Sequence, residues 1–182
     1  EGMSPFPGLD ALTEQQAAVF FGRDDDVAGL IERLRKARTH GGGRVIPIVG
    51  ASGSGKSSLL LAGVVPRIRL DVANWLLLDP FRPASKPVDR FITVLLAAAH
   101  HAAAEHGPSS GEALPLGAWR RALSSPEPAA ALAEIAESIR RHLGRLDTGI
   151  LIAIDQAEEL FTLAGDAERD GFLKLLADAL GN

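Results

Sequence analysis

Eight residues, Gly50 to Ser57 (GASGSGKS), hold the densest chemistry in the chain. Gly50, Gly55, Lys56 and Ser57 fill the pattern G-x-x-x-x-G-K-[ST]. Glycines at 50, 53 and 55 reach backbone conformations closed to other residues, so successive N–H groups can turn inward around a polyanion. A helix starting near Gly55 would add its unsatisfied N–H groups and positive dipole end. Lys56 brings a compact cation to the outer phosphates, and the Ser57 hydroxyl can ligate a magnesium ion that keeps most of its waters. Gly53 to Ser57 are therefore expected to hold phosphate, with Ser52, Ser54 and Ser58 in the same nucleotide-contacting stretch.

A second constellation follows Ile150-Leu151-Ile152-Ala153-Ile154, a continuous apolar run of the kind found in a strand buried on both faces. Asp155 stands at its C-terminal end, where ligands bind in open parallel sheets. A carboxylate there can orient the water shell of magnesium and complete what Ser57 begins. Glu158 and Glu159 come three and four residues later, near enough for one of them to polarise a water attacking the terminal phosphate. Which of the two does so is left open by the spacing. His100, His101 and His106 place no two imidazoles on one helical face and are read as solvated, as are Arg120-Arg121 and Arg140-Arg141.

These residues need elements to position them. Val45-Ile46-Pro47-Ile48-Val49 is expected to be the strand before the loop, and Ser58 onward the helix after it, to about Arg69, with Gly63 and Pro66 shortening or bending it. Ahead of them lie an extended segment, residues 4–12, and a short helix with Thr13 and Gln16 at capping-box spacing. A helix over 24–38 follows, with Asp24-Asp25-Asp26 in its first turn and Val27, Leu30, Ile31 and Leu34 on one face. Gly41-Gly42-Gly43 ends it. Trp75 to Leu78 reads as a second strand and Pro87 opens a helix through Ala98. Residues 106–117 read as the longest loop. A short helix surrounds Trp119, Pro126 or Pro128 opens another that stops at Gly144, and Asp166 to Leu180 is the last. Alternating strands and helices predict a parallel sheet between helices.

The 182 residues fit about one domain. With no cysteine, disulfides and thiolate metal sites are excluded. The net charge of −4 and scattered arginines give no nucleic-acid surface, and no membrane span or signal peptide is visible. A soluble, cytoplasmic protein is expected. A start at Glu1 suggests a piece of a longer one.

Phe20-Phe21-Gly22-Arg23, the loop GASGSGKSSLLLAGVVPRI and the run ILIAIDQAEELFTL together resemble the STAND class of signal-transduction nucleotidases. The nearest likeness is to the bacterial group often fused to WD-repeat propellers, and it covers essentially the whole chain. The resemblance implies a three-layer α/β phosphate-loop NTPase fold with a parallel sheet, truncated before its sensor strand and lid. Residues 1–40 would form a lead-in and 44–182 the incomplete core. Phe21, Gly22 and Arg23 would help form the base and ribose side of the pocket. Asp155, Gln156, Glu158, Glu159 and Leu160 map onto the DQ-x-EEL segment, with Ala157 where members more often carry phenylalanine. The implied protein is an ATPase using Mg2+, weak or inactive as this fragment, that switches self-association in response to ATP or ADP. Sensor and effector domains would lie outside the chain. The alternative is a nucleotide-binding assembly module without significant turnover. A small-molecule kinase lacks support, because no second substrate pocket is readable. No N-K-x-D occurs, which favours adenine over guanine.

Overall fold

A computed structural model of the chain describes residues 10–40, 44–106, 115–123, 125 and 128–181. The expected extended segment before residue 10, the Gly41-Gly42-Gly43 stop and most of the 106–117 loop lie outside the described residues. The chain divides into two compact units, Glu1–Leu77 and Leu78–Asn182.

In the first unit, the expected short helix is a 3₁₀-helix, Glu14–Val19. Gln16 Oε1 accepts the Thr13 N–H at 3.1 Å, the reaching-back half of a capping box. Helix α1, Asp24–His40, keeps its three aspartates in the first turn and buries Val27. The helical run after the loop is continuous but changes register. It begins as α2, Lys56–Ser58, becomes π-helical over Leu59–Val64 and ends as α3, Val65–Leu70.

Pro66 supplies the reason for that change. It has no N–H for the carbonyl four residues back and its ring crowds that turn, so the hydrogen bonding ahead of it shifts to the wider spacing. Arg67 Nη1 donates to the Gly63 carbonyl at 2.8 Å, which satisfies one backbone acceptor in the disturbed stretch. Gly63 itself is buried, and a Cβ there would stand 2.8 Å from Val27 Cγ2 and 2.9 Å from Phe20 Cε1. It marks the place where the π stretch packs directly on α1.

Val45–Val49 is not a strand, a correction to the expected element. Val45 and Val49 are 68% and 88% exposed, and no described residue forms a ladder with the run. Strand geometry is held by ladder hydrogen bonds, Pro47 has no N–H to give to one, and apolar residues without a covering layer stay in water. Strand β1, Trp75–Leu77, closes the unit one residue short of its expected end. Arg38 lies over the Trp75 ring at 6.0 Å and donates to Asn74 Oδ1.

In the second unit, the chain after β1 runs parallel to the stretch beginning with β2, Gly149–Leu151. Leu78 N–H donates to Leu151 O at 3.0 Å, Phe81 N–H to Ala153 O at 3.1 Å, and Asp155 N–H to Phe81 O at 2.9 Å. Regular strand pairing stops after Leu151, and only the bridge between Phe81 and Ile154 continues it. The run Ile150–Ile154 is mostly half-buried, with Ala153 alone fully so, and is not the strand covered on both faces that its composition suggests. The result is a mixed helix and strand chain with a small parallel sheet.

Helices α4, Pro87–His106, α5, Leu116–Leu123, α6, Pro128–His142, and α8, Asp166–Gly181, pack on one another and build the rest of the unit, with a short α7, Glu159–Thr162, between β2 and α8 along the chain. Phe81, Phe91 and Phe172 meet with ring centroids 6.3–6.4 Å apart in tilted and edge-on pairs. Leu95, Leu123, Ile135, Ile139 and Leu175 are buried with them. Gly144, at φ +64°, ends the α6 run where expected, and Arg145 N–H closes back on Arg140 O at 2.9 Å. Among the described residues no helix is long and apolar enough to cross a membrane.

Candidate functional site

In the first unit the glycine-rich loop has the backbone that phosphate binding asks of it. Gly53 and Gly55 adopt φ of +76° and +77°, values at which a side chain is strained, and Ser54 N–H closes a turn onto Ala51 O at 3.2 Å. A Cβ on Gly50 would press on Ser54 Oγ at 2.8 Å. Side chains at these three positions would therefore fill or distort the cradle. Lys56 folds back over the loop, its Nζ donating to Gly50 O at 2.9 Å and Ala51 O at 3.0 Å. That bends the ammonium across the same turn whose N–H groups would face an anion. Ser52 is exposed, Ser57 is half-buried, and Ser58 Oγ accepts the Leu12 N–H at 3.0 Å, tying the helix start to the lead-in.

The aromatic-glycine-arginine element lies beside this loop. Gly22 takes φ +79° and Phe21 is 78% exposed. Arg23 Nη1 donates to Ser54 O at 3.0 Å, while its Nε pairs with Asp26 Oδ2 at 2.8 Å. The family resemblance implies that Phe21, Gly22 and Arg23 line the base and ribose side of a pocket, and no local pattern signals that Arg23 holds a loop carbonyl.

In the second unit Asp155 is 6% exposed and Arg82 Nε lies 3.2 Å from its Oδ2. With its amide oriented to satisfy both neighbours, Gln156 accepts from Arg82 Nη2 at 3.1 Å and donates to Glu159 Oε1 at 2.9 Å. Glu159 Oε2 accepts the Ala84 N–H at 3.0 Å. Ala84 and Gln156 both hold left-handed φ, at +51° and +54°, an uncommon state for residues with a Cβ. The network thus fixes two turns, one after each strand, against each other. Glu158 stands at the N-cap position of α7, exposed and making no side-chain cap hydrogen bond.

No local motif marks Arg82. The available signal was topological: in a parallel pair both C-terminal ends lie at one edge, so a cation just past Trp75–Leu78 meets a carboxylate just past Ile154. The phosphate-loop residues and Arg23 therefore form one cluster, in the first unit, and Asp155, Gln156 and Glu159 with Arg82 form another, in the second.

Among the described residues no group of three or more His, Asp or Glu side chains could hold a metal ion. Ser57, in the first unit, and Asp155, in the second, each offer an oxygen donor of the kind magnesium takes, an ion that keeps its waters and needs few protein ligands.

A family model described as Novel STAND NTPase 1 matches residues 5–182. No curated protein and no solved structure gives a match.

Proposed function

The chain belongs to the Novel STAND NTPase 1 family, a family of nucleotide-binding signalling modules, and from this we propose that it is the ATP-binding and hydrolysing core of an oligomerisation switch. The observation that carries the reading is the loop itself: left-handed Gly53 and Gly55, a Gly50 where a Cβ would displace the Ser54 hydroxyl, and the Lys56 ammonium across the same turn. In this reading the three-layer NTPase fold frames both clusters. Backbone N–H groups of Gly53 to Ser57 bind phosphate oxygens and Lys56 swings from the loop carbonyls to the outer phosphates. Phe21, with its ring in solvent, is offered to the base. Ser57 and Asp155 would hold Mg2+, which supplies neutralisation of phosphate charge when bound. Glu158 or Glu159 takes a proton from a water whose oxygen bonds to the terminal phosphorus as the bond to the bridging oxygen breaks. The nucleotide state then governs self-association, and attached sensor and effector domains read or deliver the signal.

Calorimetric titration with ATP and ADP, with and without magnesium, tests the reading beside a Lys56→Ala control. Loss of a charge-assisted phosphate contact should weaken binding by about 1.5–3 kcal/mol, roughly ten- to hundredfold. Unchanged affinity in the control would remove the loop from the site.

A second reading, a binding module without turnover, draws on Glu159, whose two oxygens are already engaged by Ala84 and Gln156. Under it, neither Glu158→Gln nor Glu159→Gln changes how nucleotide controls assembly. Under the first, one of them traps the ATP-bound state.

A further inference from the structure

We infer that Arg23 is a positioning residue of the phosphate loop, aiming the Gly55 N–H by holding the Ser54 carbonyl, rather than a contact to base or ribose. The inference rests on the nucleotide reading above. Its ground is the geometry of one peptide plane. A trans peptide bond sets the C=O of one residue and the N–H of the next on opposite edges. Arg23 Nη1 holds Ser54 O at 3.0 Å, so the Gly55 N–H faces away from Arg23. In a phosphate-binding loop that is the face presented to the anion. Gly55, at φ +77°, then turns the chain into the helical run.

The anchor is held at its other end by α1. Asp26 Oδ2 takes the Nε of the same guanidinium at 2.8 Å, and the Arg23 carbonyl accepts the Val27 N–H at 3.1 Å in the first turn of α1. One planar fork therefore meets two acceptors at once, a carboxylate in α1 and a loop carbonyl. Lysine, with a compact head on a flexible stem, cannot reproduce that pair of directed bonds. Position 55 is glycine because of its φ of +77°, and a Cβ there would only touch Arg23 Nη1 at 3.5 Å, an ordinary contact.

The test uses Arg23→Lys and Arg23→Ala in the 182-residue chain, with Asp26→Asn as a milder third variant. Circular dichroism and thermal melting establish that each is folded. Calorimetry then compares ADP with tripolyphosphate, which has no base or ribose. Both ligands should lose about tenfold or more in affinity, by the same factor, with Asp26→Asn losing less. Without ligand, 15N relaxation should show order parameters at Gly53–Lys56 falling from rigid to flexible values in Arg23→Lys, and those of α8 unchanged. A loss confined to ADP would return Arg23 to the base and ribose and overturn the inference, as would a loop as rigid in the variants as in the parent. Should the parent bind neither ligand, the nucleotide reading fails, while a loop loosened in Arg23→Lys still upholds Arg23 as its anchor.

Discussion

Asp155 and Glu159 are held by different kinds of partner, and the difference predicts how each responds to substitution. Asp155 is a nearly buried carboxylate whose pair with Arg82 reaches a guanidinium that is half in solvent. Removing the guanidinium takes away one of the interactions that offset the desolvation of the carboxylate. Arg82→Ala should cost about 1–3 kcal/mol in urea unfolding with the slope unchanged, and Arg82→Lys should recover part of it. Glu159 stabilises the left-handed turn at Ala84 by accepting its N–H. Glu159→Ala should therefore cost about 1 kcal/mol, after discount for partial exposure. Glu158→Ala, at an exposed position, should stay within about 0.5 kcal/mol. Equal costs at 158 and 159 would show that the Ala84 contact contributes nothing. In the hydrolytic reading, the acid that prepares the water is the one whose Gln variant loses turnover while still binding ATP, whatever its cost in stability.

At the scale of elements, the helical run after the loop is decided by two residues that sequence propensity marks only as weak points. Pro66 accounts for the π register and Gly63 for the close approach to α1. Gly63→Ala would put a methyl 2.8 Å from Val27 Cγ2 and 2.9 Å from Phe20 Cε1. Ordinarily alanine favours a helix by up to about 1 kcal/mol over glycine. Here overpacking should reverse the sign, with a net loss of about 1–3 kcal/mol by chemical denaturation. A stabilised Gly63→Ala protein would mean that the π stretch is free to move off α1. A different contact joins two helix starts: Lys86, just before α4, meets Glu168 in α8 at 2.7 Å. The hydrogen bond and charge of Glu168 raise the Lys86 ammonium above its usual 10.5. A cation whose folded value is raised contributes fully below its unfolded value and loses that contribution as pH rises through the folded one. The stability difference between the parent and Lys86→Met should thus be flat near neutrality and close only above 10.5.

For the whole molecule, a ligand that binds the folded chain alone must raise its melting temperature. At a hundredfold excess over Kd the gain is about 2.7 kcal/mol, or roughly 5–10 °C for a chain of this length. ADP should produce that shift in the parent and lose most of it in Lys56→Ala. The switch reading adds that sedimentation with ATP and magnesium should reveal a larger species than with ADP, in the chain carrying its attached domains. The same distribution with both nucleotides would leave binding without a switch.

By itself, the sequence determined the chemistry available. The spacing of Gly50, Gly55, Lys56 and Ser57 is a local pattern, and so are the positions of Asp155, Glu158 and Glu159, because short-range order along the chain sets which groups sit on one turn. Helices α1, α4, α6 and α8 were legible for a related reason: an apolar face repeats every three or four residues and caps mark its ends. Only tertiary structure decided what lies between distant segments. Whether Val45–Val49 is a strand depends on a partner that apolar composition cannot supply, and composition alone made it look buried. That Arg23 holds Ser54 across 31 residues, and Arg82 meets Asp155 across 73, could not be read from either stretch. Such contacts are fixed by packing and ladder register, which join residues the chain keeps far apart.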